Sequence, residues 1–474
     1  MLAPVLFALA QFSFQVDADE FANVVYHVNC LSNNTPCTKP SIEKFWREDL
    51  HWTKADQQAL ELWSGTLDDI AHREPQAAEI EFLPMQLAFH PRLAARRRII
   101  AAAFDSHSPA DFEKRLSNAT LFGRILAGRP ALSRTEIAKL RSALNHFQHR
   151  LQPWWNATGR AYASRRLGTV KALLRSPEVV QLAGRIQRFM EAEGPGSTFH
   201  IHLIARHDPK SDAALATPVG NHLLLEVTDD IQGHEKFARA IVLHEMTHTF
   251  FDAAPQTLHR ELIRAFVENP GPQSQALYSL LNEGLATAVQ WIVLADPTVA
   301  DKDLYRHPFI PRIGRAASVP LRHALENGPT LYHGFLPLYL KAAAAELKEE
   351  IASPRFILTS AIVAPMGSLE KAEAAYHADF ATTYSASFGD RDRFNEMNLV
   401  ILITYDKLDA IEGNWDDIVP LSKAHRAFAF TAPRNQKGRV YVIAGRDDQS
   451  VAEVVSKLAA IRGVTNEGLI LSVD

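Results

Sequence analysis

Residues 241–251 read Ile241-Val242-Leu243-His244-Glu245-Met246-Thr247-His248-Thr249-Phe250-Phe251. Apolar residues at helical spacing on both sides of the polar ones predict a helix that buries most of its circumference. Residues four apart on a helix share a face, so His244 and His248 present their imidazoles in one direction. Glu245 is turned about 100° from His244, which sets its carboxylate beside an ion shared by the two rings and outside its ligands. Three polar side chains on a buried helix are costly without partners, and a metal ion removes that cost. The pattern points to one Zn2+ on His244 and His248, with Glu245 as the base that activates water.

The rest of the chain sets bounds on this reading. At 474 residues it exceeds what one core organises, and 47% hydrophobic with 22% charged residues is ordinary for a globular protein. A net charge of -4 argues against nucleic acid as a partner. The one basic cluster, Arg92, Arg96, Arg97 and Arg98, reads as a solvated helix face. Met1 to Ala10 is a short apolar run that resembles the core of a secretory signal, without the usual positive start. Residues 1–18 are therefore read as a signal peptide, and the protein as exported, periplasmic or secreted, with a cytoplasmic location as the alternative. No later stretch is long and apolar enough for a membrane span. The only cysteines, Cys30 and Cys37, are either a short disulfide or two thiols, and they cannot form a cysteine zinc site unaided.

Residues 19–195 show helical periodicity, with breaks at Arg129-Pro130 and Gln152-Pro153. After Gly194-Pro195-Gly196, Thr198 to Ala205 and His222 to Val227 read as strands able to pair as a hairpin. Helices are predicted over about Gly233 to Asp252, Pro272 to Leu294, Pro320 to Ile351 and Leu369 to Tyr384. Residues 196–390 thus form the candidate catalytic domain. Residues 391–474, with Leu399 to Thr404 and a strand, helix, strand run from Arg439 to Val473, form a small α/β unit. The fold class is α+β, mostly helical.

A zinc site that keeps a position for water needs a third protein ligand. Phe251 and Ala254 stand where metzincins carry Gly and His, which excludes that class. Residues 281–287 read Leu281-Asn282-Glu283-Gly284-Leu285-Ala286-Thr287. A His-Glu-x-x-His motif followed by Asn-Glu-Gly-x-Ala resembles the gluzincins, the thermolysin-like and aminopeptidase-like zinc peptidases. The resemblance runs from the Leu223 strand to Tyr332. It implies a zincin-like core in which an edge-strand hairpin, the active-site helix and a ligand helix meet. It makes Glu283 the third ligand, with Glu261 and Glu268 as fallbacks, since an extra helix over Gln256 to Val267 lengthens the spacing. It also implies a substrate-binding edge at Leu224, Leu225 and Glu226, where an extended peptide can pair. Val219-Gly220-Asn221-His222 lacks the Glu that membrane-alanyl-type aminopeptidases carry there, which argues against that activity. A Tyr shortly before a Gly is the transition-state donor in the aminopeptidase-like branch. Leu331-Tyr332-His333-Gly334 resembles that element, making Tyr332 and His333 the candidates, with Tyr384 behind them.

The function implied is hydrolysis of peptide bonds in a peptide or protein substrate. The alternative is an inactive, zinc-stabilised peptide- or protein-binding protein that keeps the fold. No phosphate loop, dinucleotide fingerprint or Gly-x-Ser-x-Gly elbow is present. Neither an oligomeric state nor a particular substrate is legible.

Overall fold

The computed structural model describes residues 13–34, 37–73, 91–118, 132–192, 198–208, 216–227, 235–268, 272–296, 298–304, 307–380, 398–411, 418–433, 439–462 and 468–474. The protein is mostly helical with two small mixed sheets, in keeping with the α+β class. It divides into two compact units, Met1–Ala77 with Leu87–Ala254, and Ala78–Gln86 with Pro255–Asp474.

The first unit carries a four-stranded sheet in the order β1 (Ser13–Asp17), β2 (Thr198–Ala205), β4 (His222–Val227), β3 (Ala216–Val219). Strands β2 and β4 do pair, but in parallel, with Ile201 opposite Leu223. The hairpin partner of β4 is β3, antiparallel, with Val219 opposite His222. The tight turn between them uses Gly220 at φ +60, a left-handed conformation that favours glycine. The expected substrate edge is therefore corrected. β4 is flanked on both sides, and the free edge on this side of the sheet, among the described residues, belongs to β3.

Strand β1 falls inside the stretch read as a signal peptide. Val16 is buried and the Asp17 carboxylate lies 2.9 Å from His202 Nδ1, so these residues belong to the sheet. Residues 1–12 lie outside the described residues. The helix Glu20–Leu31 starts where the Asp19 side chain accepts from the Phe21 and Ala22 amides, and every residue from Phe21 onward is buried. Asn23 pins it to β2, donating to the Leu203 carbonyl and accepting from the Ala205 amide. Cys30 and Cys37 are joined as a disulfide. Beside it the buried carboxylate of Glu226 accepts from the hydroxyls of Tyr26 and Thr38 and lies 3.5 Å from Arg206.

The break expected at Pro153 is not there. The helix Arg134–Trp154 runs through Pro153 into one wide π turn, Trp155–Gly159, and on into Arg160–Leu174. A proline removes one amide donor and crowds the preceding turn, and a π turn is one way a helix absorbs that without ending. A Cβ at Gly159 would meet the rings of Trp154 and Trp155 at 2.7 Å, so the indoles close over the glycine. The break at Arg129-Pro130 lies outside the described residues.

In the second unit the helix expected over Pro272 to Leu294 is two, Pro272–Ser279 and Leu281–Leu294. Pro320 does not start a helix but sits inside Ile310–Asn327, with Leu336–Leu347 following. The C-terminal sheet has the order β5 (Ile362–Met366), β6 (Leu399–Thr404), β8 (Arg439–Gly445), β7 (Ala427–Pro433), β9 (Gly468–Val473). β5, β6 and β8 run parallel, and β7 is antiparallel to both β8 and β9. The sheet thus recruits its first strand from 362–366, upstream of the boundary read at residue 391. Tyr376 and Phe380 of helix Glu370–Phe380, with Val454 and Leu458 of helix Asp448–Ala459, pack with its Val400, Leu402 and Ile443. Among the described residues no helix is long and apolar enough to cross a membrane.

Candidate metal centre

The motif helix is Glu235–Asp252. Val242, Leu243, Met246, Phe250 and Phe251 are buried, as the flanking apolar residues predict. Thr247 satisfies its hydroxyl on the Leu243 carbonyl at 2.7 Å, the local bond that lets a threonine sit inside a helix. On the remaining face the Nε2 atoms of His244 and His248 stand 3.1 Å apart, their rings nearly perpendicular. His244 is buried, while Glu245 and His248 are half-buried.

Glu283 lies in the first turn of the helix Leu281–Leu294, where the helix dipole favours a carboxylate. The small residues around it set how closely its neighbours approach. A Cβ on Gly284 would come 3.2 Å from Ile313 Cγ2 and 3.3 Å from the Tyr339 hydroxyl. Trp291 donates its indole N–H to the Pro311 carbonyl at 3.2 Å, and Arg315 stacks over the same ring. His307 holds the start of Ile310–Asn327. Its Nδ1 accepts from the amides of Phe309 and Ile310, and its Nε2 donates to Thr359 Oγ1 at 3.0 Å. Burial pushes the His307 pKa down to about 4, against the opposite pull of the Glu283 carboxylate.

His244, His248 and Glu283 each offer one ligand atom, and these atoms all lie within 4.8 Å of one another. Two imidazole nitrogens and one carboxylate oxygen are a donor set able to hold a metal ion, which is the fit the sequence called for. No other such group of three is found among the described residues. The fallback acids Glu261 and Glu268 are both exposed on the helix Gln256–Glu268.

The other expected site residues have the following surroundings. The Tyr332 hydroxyl sits 3.4 Å from both ring nitrogens of the buried His259, and His333 is exposed beside it. Tyr384 lies outside the described residues. Leu224 and Leu225 are buried within the sheet, and the Glu226 side chain is committed to Tyr26, Thr38 and Arg206. Sequence reasoning missed two residues. His259 carries no signal, because its partner Tyr332 is far away in the chain. Asp252 had one, since it falls a single helical turn after His248.

Comparison with known proteins gives no match: no protein-family model, no curated protein and no solved structure aligns with this chain.

Proposed function

We propose that the protein is a zinc-dependent metallopeptidase in which His244, His248 and Glu283 hold the ion and Glu245 is the general base. The observation that carries this reading is the convergence of those three side chains, on the two motifs that resemble the gluzincins. When bound, zinc polarises a carbonyl and lowers the pKa of water toward about 7.

The chain's own residues supply the rest. Glu245 takes the proton of the attacking water and passes it to the leaving amine. Tyr332, backed by His259, is the candidate donor to the negative charge that develops on the carbonyl oxygen. An extended substrate pairs with the open side of β3, which the turn at Gly220 joins to the strand preceding the motif helix. The Cys30–Cys37 disulfide supports a compartment that lets such bonds persist, in line with export.

The test combines metal analysis of the purified protein with cleavage profiling of wild type and Glu245→Gln on a peptide library. The expected result is zinc in both proteins and cleavage only by wild type. Zinc in both and cleavage by neither would favour the binding-protein alternative, and absence of zinc from wild type would end the metal reading altogether.

A further inference from the structure

We infer that Asp252, braced by Arg97, is a positioning residue that fixes the ring of His248 toward the metal. The inference rests on the zinc reading and concerns only residues of the first unit. With the Nε2 atoms of His244 and His248 turned toward each other at 3.1 Å, the Nδ1 of His248 faces away from the shared point. Asp252 stands one turn further along the same helix. Helical side chains lean toward the N-terminus, which directs the Asp252 side chain toward the turn that carries His248.

Arg97 fixes where that carboxylate sits, with Nη1 3.3 Å from Oδ2. The helix that carries Arg97, Pro91–Phe104, is itself anchored. Ile99 and Ile100 are buried in the core, and Arg96 pairs with Asp68. The basic cluster read as a solvated face therefore includes one residue that grips the end of the motif helix. His248 and Arg97 are the two charged groups that act on the Asp252 carboxylate.

A carboxylate that accepts the Nδ1–H of a ligating histidine sets both the tautomer and the plane of the ring. Here it would leave the Nε2 lone pair of His248 aimed at the ion. Loss of such a partner lowers metal affinity by about 10- to 100-fold.

The experiment measures zinc affinity by chelator competition for wild type, Asp252→Ala, Asp252→Asn and Asp252→Glu, and records the visible spectrum of each protein loaded with Co2+. Expected are a loss of about 10- to 100-fold for Asp252→Ala, an altered cobalt spectrum, and partial recovery in Asp252→Glu. If Asp252→Ala fails to fold, Asp252→Asn, which keeps the shape but not the charge, must still bind zinc more weakly than Asp252→Glu. Wild-type zinc affinity and an unchanged cobalt spectrum in a folded Asp252→Ala or Asp252→Asn, with binding lost in His248→Ala, would overturn the inference and leave the zinc reading intact. A wild type that takes up no zinc would remove both.

Discussion

Gly314 approaches Thr287 so closely that a Cβ added to the glycine would come within 2.7 Å of the threonine Cγ2. Thr287 lies one turn after Glu283, on the helix that presents the third candidate ligand, so this contact sets the spacing of that helix from Ile310–Asn327. Replacing Gly314 by Val should destabilise the protein by about 1–3 kcal/mol through overpacking. Chemical denaturation read by circular dichroism checks this. Because the helix would shift, zinc affinity should fall in parallel, and an unaffected affinity would show that the contact does not position Glu283.

Removing one of the three proposed ligands should cost more than removing a supporting residue. Glu283→Ala should lower zinc affinity by more than about 100-fold. Glu261→Ala and Glu268→Ala, at exposed positions, should leave it unchanged. Chelator competition on the three proteins distinguishes them, and an equal loss in Glu261→Ala would reassign the third ligand.

An ion that binds only the folded state adds stability by mass action, about 2.7 kcal/mol when its concentration is a hundred times Kd. Stripping wild type with a chelator should lower the melting temperature. The same treatment should leave a His244→Ala, His248→Ala double variant unmoved. Equal responses would mean that the chelator acts at some other place.

Acid should weaken the fold through His27. Burial pushes its pKa down to about 3, and the Trp46 indole N–H donates to its Nδ1 at 2.9 Å. The folded state therefore resists a proton that the unfolded chain accepts near pH 6.5. Stability contributed by the neutral ring is fully present above that pH and is lost as pH falls toward about 3. A His27→Gln variant, which keeps an acceptor and has nothing to titrate, should show a shallower loss over this window. An unchanged slope in denaturation curves would refute the assignment.

The buried Glu226 offers a further check. Glu226→Ala leaves the Arg206 guanidinium, 5% exposed, without its carboxylate and should cost about 3–5 kcal/mol. Tyr26→Phe removes one hydroxyl donor and should cost about 1–3 kcal/mol. Thermal melts of the two variants should rank in that order.

The parts of the site that could be read from sequence were those set by local periodicity. His244, Glu245 and His248 are spaced by the helix itself, and Glu283 was carried by a second motif with its own apolar frame. Pairing in the sheets was harder to read. Strand β3 is four residues long and contains Pro218, so nothing local marked it as the partner that displaces β2 from the hairpin. β7, Ala427–Pro433, is apolar except for Thr431 and ends on a proline, so no polar alternation marked it, although it lies between β8 and β9. Arg97 and Asp252 illustrate the same limit, since an ion pair between distant segments leaves no periodic trace.

The anchoring of Glu226 bears on how the protein can mature. Its two hydroxyl donors, Tyr26 and Thr38, come from either side of the Cys30–Cys37 link, and strand β1 lies further upstream still. Removing residues 13–38 would take away both hydroxyl donors of Glu226, leaving Arg206 alone on the buried carboxylate, and would delete one strand of the sheet.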